Sequence, residues 1–481
     1  MFRNTLTVIA SLLFALPAFA QDTLWTKVYG GTGYDNAKSI FQFGDGGYIV
    51  GGQTSSFGVD NFDCLILRTD ENGDTLWMKT YGGVGGQSLT CMQQTTDGGF
   101  IISGTYAQQY EDGKIMLMKL NADGDSLWSS LLGADTLEES TASVCQTDDG
   151  GFMLCGRTWR PVTSYDFWLL KTNPDGIRQW MRYYDWWNGD NAECVIQTPD
   201  GGYVITGSTS STESTDRDVF LMKVNASGDS VWAHRYGGEA AEDASRVIQT
   251  SDGGFAIAGN TESYGMGGKD LYVIKTDGNG VLEWSNQFGS TYHDVALDIV
   301  ETLDGGYVVT GSWYVPGVSW DACLLKLNSE GDSLWSRLYG GTTGNEYGYA
   351  IKQTMDNGYI IAGTTTSFGA ENTAVYLIKI APNIIGVEED SNLPSGFSLE
   401  QNYPNPFNAT TNIRYSLNSS SEIELTVYDL LGRKVQTLDR GFKKAGNHSV
   451  DFDASEFSSG IYFYKLSAGE FSETKKMVLL K

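Results

Sequence analysis

The chain is short of positive charge, of histidine and of long apolar runs. Its 481 residues carry 32 lysines and arginines against 59 aspartates and glutamates, a formal charge of −27. Such a surface repels nucleic acid and anionic lipid, which excludes both as partners through bulk charge. Only three histidines occur, His234, His293 and His448. None stands in a Ser/His/Asp set, an HExxH pair or a nucleophile elbow, so no catalytic residue is assigned. Cys-x-x-Cys and the His/Cys spacings that suit zinc are also missing, and no metal ligand is assigned. No apolar stretch is long enough to cross a membrane as a helix.

Other features are plentiful. Trp, Tyr and Phe make up 12% of the residues, enough to fill packed cores, so disorder along most of the chain is excluded. At the N-terminus Arg3, the short apolar run Leu6–Leu16, Pro17 and the small-x-small site Ala18-Phe19-Ala20 read as a signal peptide over residues 1–20. The mature protein is expected outside the cytoplasm, where disulfides can persist. The six cysteines, Cys64, Cys91, Cys145, Cys155, Cys194 and Cys323, do not recur at equivalent places. Only Cys145 and Cys155, flanking one tight turn, are spaced to suggest a bridge. The alternative is that all six are small buried hydrophobes.

One period organises the chain. An Asp opens a turn at Asp45, Asp97, Asp149, Asp200, Asp252, Asp304 and Asp356, and a Trp recurs at Trp25, Trp77, Trp128, Trp180, Trp232, Trp284 and Trp335, in steps of 51 or 52 residues. Each copy divides into four short runs rich in β-branched and aromatic residues, lettered A to D. In one copy these are Val247–Thr250, then "FAIAGNT", then "DLYVIKT", then Leu282–Phe288. Asp-Gly-Gly between A and B, and Asn or Asp with Gly between C and D, supply the positive φ of tight hairpins. Four antiparallel strands repeated seven times describe an all-β, seven-bladed β-propeller over residues 21–381. The first Trp arrives with only a strand D, and the last copy, Glu346–Ile380, lacks one. Leu24–Gly30 is therefore expected to supply the outer strand of the seventh blade and close the ring.

The stretches "RYGGEAAEDASRVIQTSDGGFAIAGNT" and "KDLYVIKTDGNG" resemble the seven-bladed propeller repeats abundant in secreted bacterial proteins. That resemblance implies a fold and no particular chemistry. Residues 382–396 read as a polar linker, and 397–481 as a small Ig-like β-sandwich. Within the latter, "NYPNPFNATTNIRYSL", "VYDLLGRKVQTL", "AGNHSVDFDASEFSSGIYFYKL" and "TKKMVLLK" resemble the C-terminal sorting domain of the type IX secretion system of Bacteroidetes-related bacteria. The resemblance implies the type IX machinery as a partner, and release from or attachment to the outer-membrane surface.

Strands A and C start on one face of the ring, here called side one, and B and D return to it. The variable B–C loops and the D–A crossings share side one, so binding is expected there. Two sets of residues fall on it. Asp35, Glu139, Asp190, Glu242, Asp294 and Glu346, with Gln87 at the seventh copy, precede strand A and would ring the mouth of the central channel. Clustered oxygens suit Ca²⁺ or a cationic ligand, and the alternative is that each acid caps backbone N–H groups of its own loop. The second set breaks the repeat: Trp159 and Arg160, Trp186 and Trp187, and Trp313, Tyr314 and Trp320. Exposed rings of this kind stack on sugars or bind proteins, unless the loops bury them. A basic residue recurs in strand C (Arg68, Lys119, Lys171, Lys223, Lys275, Lys326 and Lys379), and an Asp lies five positions before five of the seven. Pairing with acids of neighbouring blades is expected, with an anion-binding ring as the alternative. The reading is an exported binding protein whose propeller presents a site for carbohydrate or a surface partner. A hydrolase or lyase acting on polysaccharide and a purely structural surface protein are the alternatives.

Overall fold

The computed structural model describes residues 23–382 and 398–480, apart from 59–61, 84, 108–112, 134–138, 161–163, 186–188, 211–215 and 266 in the first span and 400, 403, 418–420, 431, 444–445 and 469–470 in the second. The signal peptide expected at 1–20, and all but the first residue of the expected linker, lie outside the described residues. The chain divides into two compact units, Met1–Ile384 and Ile385–Lys481.

The described residues of the first unit form seven four-stranded antiparallel sheets. Sheet one is typical: Asp35–Gln42, Tyr48–Thr54, Asp63–Thr69 and Thr75–Tyr81, each strand paired with the next. Sheet seven consists of Glu346–Gln353, Tyr359–Thr365 and Ala374–Ile380, and Thr23–Tyr29 pairs antiparallel with the last of these. The fourth strand of the last sheet thus comes from the beginning of the chain. Each strand A touches strand A of the sheets before and after it, and Glu346–Gln353 touches Asp35–Gln42. The inner strands therefore make a closed ring, the arrangement of a β-propeller. The same side-chain bond recurs across the closure: Gln42 Oε1 accepts from Met355 N–H at 2.9 Å, as Gln146 does from Thr96 and Gln197 from Asp148, each at 2.8 Å.

Cores lie between sheets, because a four-stranded sheet cannot bury both faces alone. Ile49, Cys64 and Ile66 of sheet one pack on Phe100, Ile102 and Met118 of sheet two, with Trp77 beside them. The recurrent Trp is a wedge. A Cβ on Gly124 would sit 2.4 Å from the Trp77 ring, and Gly124 holds a φ of +79° that side chains other than Gly rarely adopt. Four residues on, the tyrosine of strand D reaches the same turn of the next sheet, as where Tyr184 Oη donates to Gly228 O at 2.6 Å.

The Asp of the A–B turn has two tasks. Its side chain accepts from the Gly N–H two residues on, at 3.0 Å for Asp97 and Gly99. It also pairs with the strand-C base of its own sheet: Lys119 with Asp97 at 2.9 Å, Lys275 with Asp252 at 2.8 Å, Arg68 with Asp45 at 2.6 Å. This corrects the pairing expected between blades. The strand-C base points toward the A–B turn, so the turn Asp, and not the Asp five residues earlier, is within reach. The bridge suggested for Cys145 and Cys155 is also corrected. All six cysteines are buried free thiols. Cys145 faces Met153 and Cys155 faces Ser143 across the hairpin, two rungs apart.

The described residues of the second unit form two sheets. One holds Ser398–Leu399, Thr410–Leu417 and Gly446–Asp453, and the other Lys434–Lys443, Ser421–Asp429, Gly460–Ala468 and Phe471–Leu479. Leu399, Phe407, Ile413, Tyr415 and Phe452 share one core with Leu425, Val427, Tyr464, Leu466 and Met477, which is how a small β-sandwich packs.

Candidate functional site

The acidic set does not ring an open mouth. Asp35, Glu139, Asp190, Glu242, Asp294 and Glu346 are all buried, at 0 or 1% exposure. Four of them are themselves the first residue of strand A. Their side chains turn back onto the D–A crossing. Asp35 accepts from Gly31 N–H at 2.9 Å and Ser56 Oγ at 2.6 Å. Glu242 accepts from Gly238 N–H at 2.8 Å and Thr261 Oγ1 at 2.7 Å, and Glu346 from Gly341 N–H at 3.0 Å and Thr365 Oγ1 at 2.7 Å. Asp294 takes Tyr314 N–H at 2.7 Å, Glu139 takes Tyr183 Oη at 2.8 Å, and Asp190 takes Thr209 Oγ1. Gln87, at the seventh place, accepts from Gly83 N–H at 3.2 Å. The physical cause is that a crossing between sheets leaves N–H groups without a ladder partner. A carboxylate at the strand end satisfies them, and burial raises the pKa of Asp294 despite those bonds. Those oxygens are spent on backbone N–H groups and on neighbouring hydroxyls. Among the described residues no group of three His, Cys, Asp or Glu side chains could hold a metal ion.

The residues that break the repeat have different fates. Trp186 and Trp187 lie outside the described residues. Trp159 and Arg160 end a strand, Phe152–Arg160, instead of lying in a loop. Trp313, Tyr314 and Trp320 likewise lie in strands, Tyr307–Val315 and Ser319–Leu327, which extend the B–C hairpin of sheet six. Pairing persists to Val315 and Ser319 because Gly317, at φ +81°, closes a tight turn. Trp313 is partly buried and packs against the core between sheets five and six. Tyr314 and Trp320 face each other across the hairpin, with ring centroids 5.2 Å apart.

These two rings belong to a longer series. Tyr292 lies 4.7 Å from Tyr314, Trp320 lies 6.5 Å from Tyr347, and Tyr347 lies 6.1 Å from Tyr349. The indole Nε1–H of Trp320 donates to His293 O at 3.0 Å, which fixes that ring. The track runs from the D–A crossing before sheet six, through its B–C hairpin, onto strand A of sheet seven. Its last member carries an ammonium on its face: Lys38 Nζ is 3.6 Å from the Tyr349 centroid.

Tyr349 and Lys38 open onto the central cavity, a space of about 540 Å³. Its lining follows from one backbone device. Every strand A slips register once against strand B, skipping Lys38, Thr90, Ala142, Glu193, Ser245, Leu297 and Tyr349. The skipped residue is the extra one of a β-bulge, and all seven line the cavity. The cavity is basic although the chain is acidic. Lys38, Arg157, Arg217, Arg246, Lys269 and Lys352 line it against three carboxylates, Glu193, Asp243 and Asp298. Lys269 pairs with Asp243 at 2.6 Å, and Arg246 with Asp298 at 3.2 Å. Burial pulls the Lys38 pKa down to about 8 and also lowers that of Lys352, while it raises that of Glu193. Sequence reasoning missed these lining residues, because it treated strand A as repeat and looked for function in the loops.

Residues 401–480 match the family described as the secretion system C-terminal sorting domain. A domain of that kind marks the chain as exported to the cell surface or beyond. A 225-residue stretch is 26% identical to the Regulatory protein FlaEY of Caulobacter vibrioides, covering 42% of this chain and 23% of that protein. Among solved structures, the β-propeller domain of the Trilobed protease from Pyrococcus furiosus is similar at 10% identity and TM-score 0.43, over 74% of this chain and 97% of that one. Polysaccharide lyase Uly1 is similar at 10% identity and TM-score 0.42, over 72% of this chain and 90% of that one. At such identities nothing about chemistry follows.

Proposed function

We propose that this chain is an exported binding protein whose seven-bladed propeller takes a carbohydrate along the ring track of blades six and seven. The signal peptide at 1–20 carries it across the inner membrane. The C-terminal domain engages the type IX machinery for the second crossing. The propeller is the cargo.

The observation that supports this reading is the series Tyr292, Tyr314, Trp320, Tyr347 and Tyr349. Neighbouring rings are 4.7 to 6.5 Å apart, and Tyr292 is 42% exposed. Rings packed only for stability would end in an apolar core. These lead from a side-one crossing into a polar, basic cavity. Sugars offer apolar C–H faces to such rings and hydroxyls to the polar groups beside them.

The test is a glycan array probed with the purified full chain and with Trp320→Ala and Tyr347→Ala. Retention of oligosaccharides, weakened by both substitutions while the melting temperature holds, is the expected result. An array that retains nothing, or retains ligands equally with both variants, removes the proposal.

A further inference from the structure

The ligand's charge can be inferred from where the track ends. We propose that the ligand is an anionic carbohydrate whose carboxylate or sulfate group enters the central cavity and meets the ammonium groups of Lys38 and Lys352. This inference rests on the carbohydrate reading above and names the class of sugar.

Three observations carry it. First, the cavity gathers six basic side chains in a chain whose formal charge is −27, so the local sign opposes the global one. Second, Lys38 and Lys352 make no salt bridge among the described residues; Asp298 is paired with Arg246 and acts on Lys352 only at longer range. What meets Lys38 and Lys352 is aromatic: the Tyr349 ring at 3.6 Å and the Phe41 ring at 5.5 Å. A ring face attracts a cation but does not neutralise it. Third, both ammonium groups are held in a space with room for a ligand, on adjacent blades and at the inner end of the ring track. Burial disfavours an ammonium and lowers the pKa of both lysines, in Lys352 against the opposing pull of Asp298. An anion entering the cavity would supply each ammonium with a direct counter-charge. A purely structural role would pair each lysine, as the strand-C lysines are paired with the turn aspartates.

The experiment is isothermal titration of the full chain with four oligosaccharides: oligogalacturonate, its neutral oligogalactose counterpart, a sulfated oligogalactose and an oligoglucose. Lys38→Met, Lys352→Met and the charge-conserving Lys38→Arg are titrated alongside, each with its melting temperature recorded. The expected result is binding of a carboxylated or sulfated ligand at least about tenfold tighter than its neutral counterpart. Each Met variant should lose about tenfold for the acidic ligand, Lys38→Arg should keep most of it, and added salt should weaken it. Preference for the carboxylated or for the sulfated arm identifies the source of the charge. Equal binding of neutral and acidic ligands, unchanged in the Met variants, overturns this inference and leaves the carbohydrate reading standing. No binding of any of the four, together with an empty array, overturns both.

Discussion

The pairing of Asp97 with Lys119 gives an asymmetric prediction. Lys119 Nζ bonds Asp97 at 2.9 Å and Leu120 O at 3.0 Å, and its side chain is 7% exposed against 58% for Asp97. Asp97→Ala strips the counter-charge from a buried ammonium and should destabilise the propeller by ~3 kcal/mol. Lys119→Met leaves a carboxylate that water can still reach and that Gly99 and Thr95 still bond, so ~1 kcal/mol is expected. Urea denaturation at constant m-value measures the two midpoints. The pH dependence has a definite sign. The bond from Lys119, then that from the Thr95 hydroxyl, hold the Asp97 pKa down at about 2. A depressed carboxylate stabilises the fold above its ordinary pKa of ~4. That contribution is lost as pH falls through the folded value. The gap between wild type and Asp97→Ala should therefore narrow between pH 4 and pH 2, by ~1 kcal/mol after allowing for solvent screening. Equal midpoints for the two variants, or a larger loss for Lys119→Met, would refute the reasoning.

Three further outcomes are expected. Gly124→Ala meets both a φ of +79° and the Trp77 ring, whereas Gly98→Ala, at φ +81°, meets open space. The first should lose ~2–3 kcal/mol and the second ~1 kcal/mol in the same denaturation assay, and similar losses would remove the wedge. All six thiols are buried, and burial raises the pKa of Cys64 and Cys145 to about 12, so maleimide should label none of the six at pH 8 until the propeller is unfolded. Deleting residues 23–29 removes the outer strand of sheet seven and exposes the edge of Ala374–Ile380. A self-associating or proteolytically sensitive product is expected by light scattering and limited digestion, while an unchanged monomer would mean that the closing strand is dispensable.

The period was legible because each recurring residue has one structural task. Asp97 makes a turn, Trp77 fills a groove, and Gly124 accepts the Trp, so each recurs wherever the sheet recurs. The partner of Lys119 was less legible. Pairing with acids of neighbouring blades was expected, but the partner sits in the A–B turn of its own sheet, which only the strand order in space brings close. The acidic positions Asp35 and Glu242 were legible as a pattern and ambiguous as a role. A carboxylate that caps a crossing and one that awaits a cation look alike until its bonds are known. The cavity lining was hidden for another reason. A bulge adds one residue to an alternating strand, and the residue it displaces, Lys38 or Tyr349, differs in every copy. Variation inside a regular strand was thus the missed signal. At Trp313 the departure from the repeat lies in an extended hairpin and packs partly against the core.

The account turns on a ligand lying along the rings into the cavity. The most direct measurement is a crystal structure of the propeller soaked with the tightest oligosaccharide from the titrations. Density is predicted along Trp320, Tyr347 and Tyr349, with an anionic group between Lys38 and Lys352. Ordered ligand at another face, with the track and cavity empty, would contradict it.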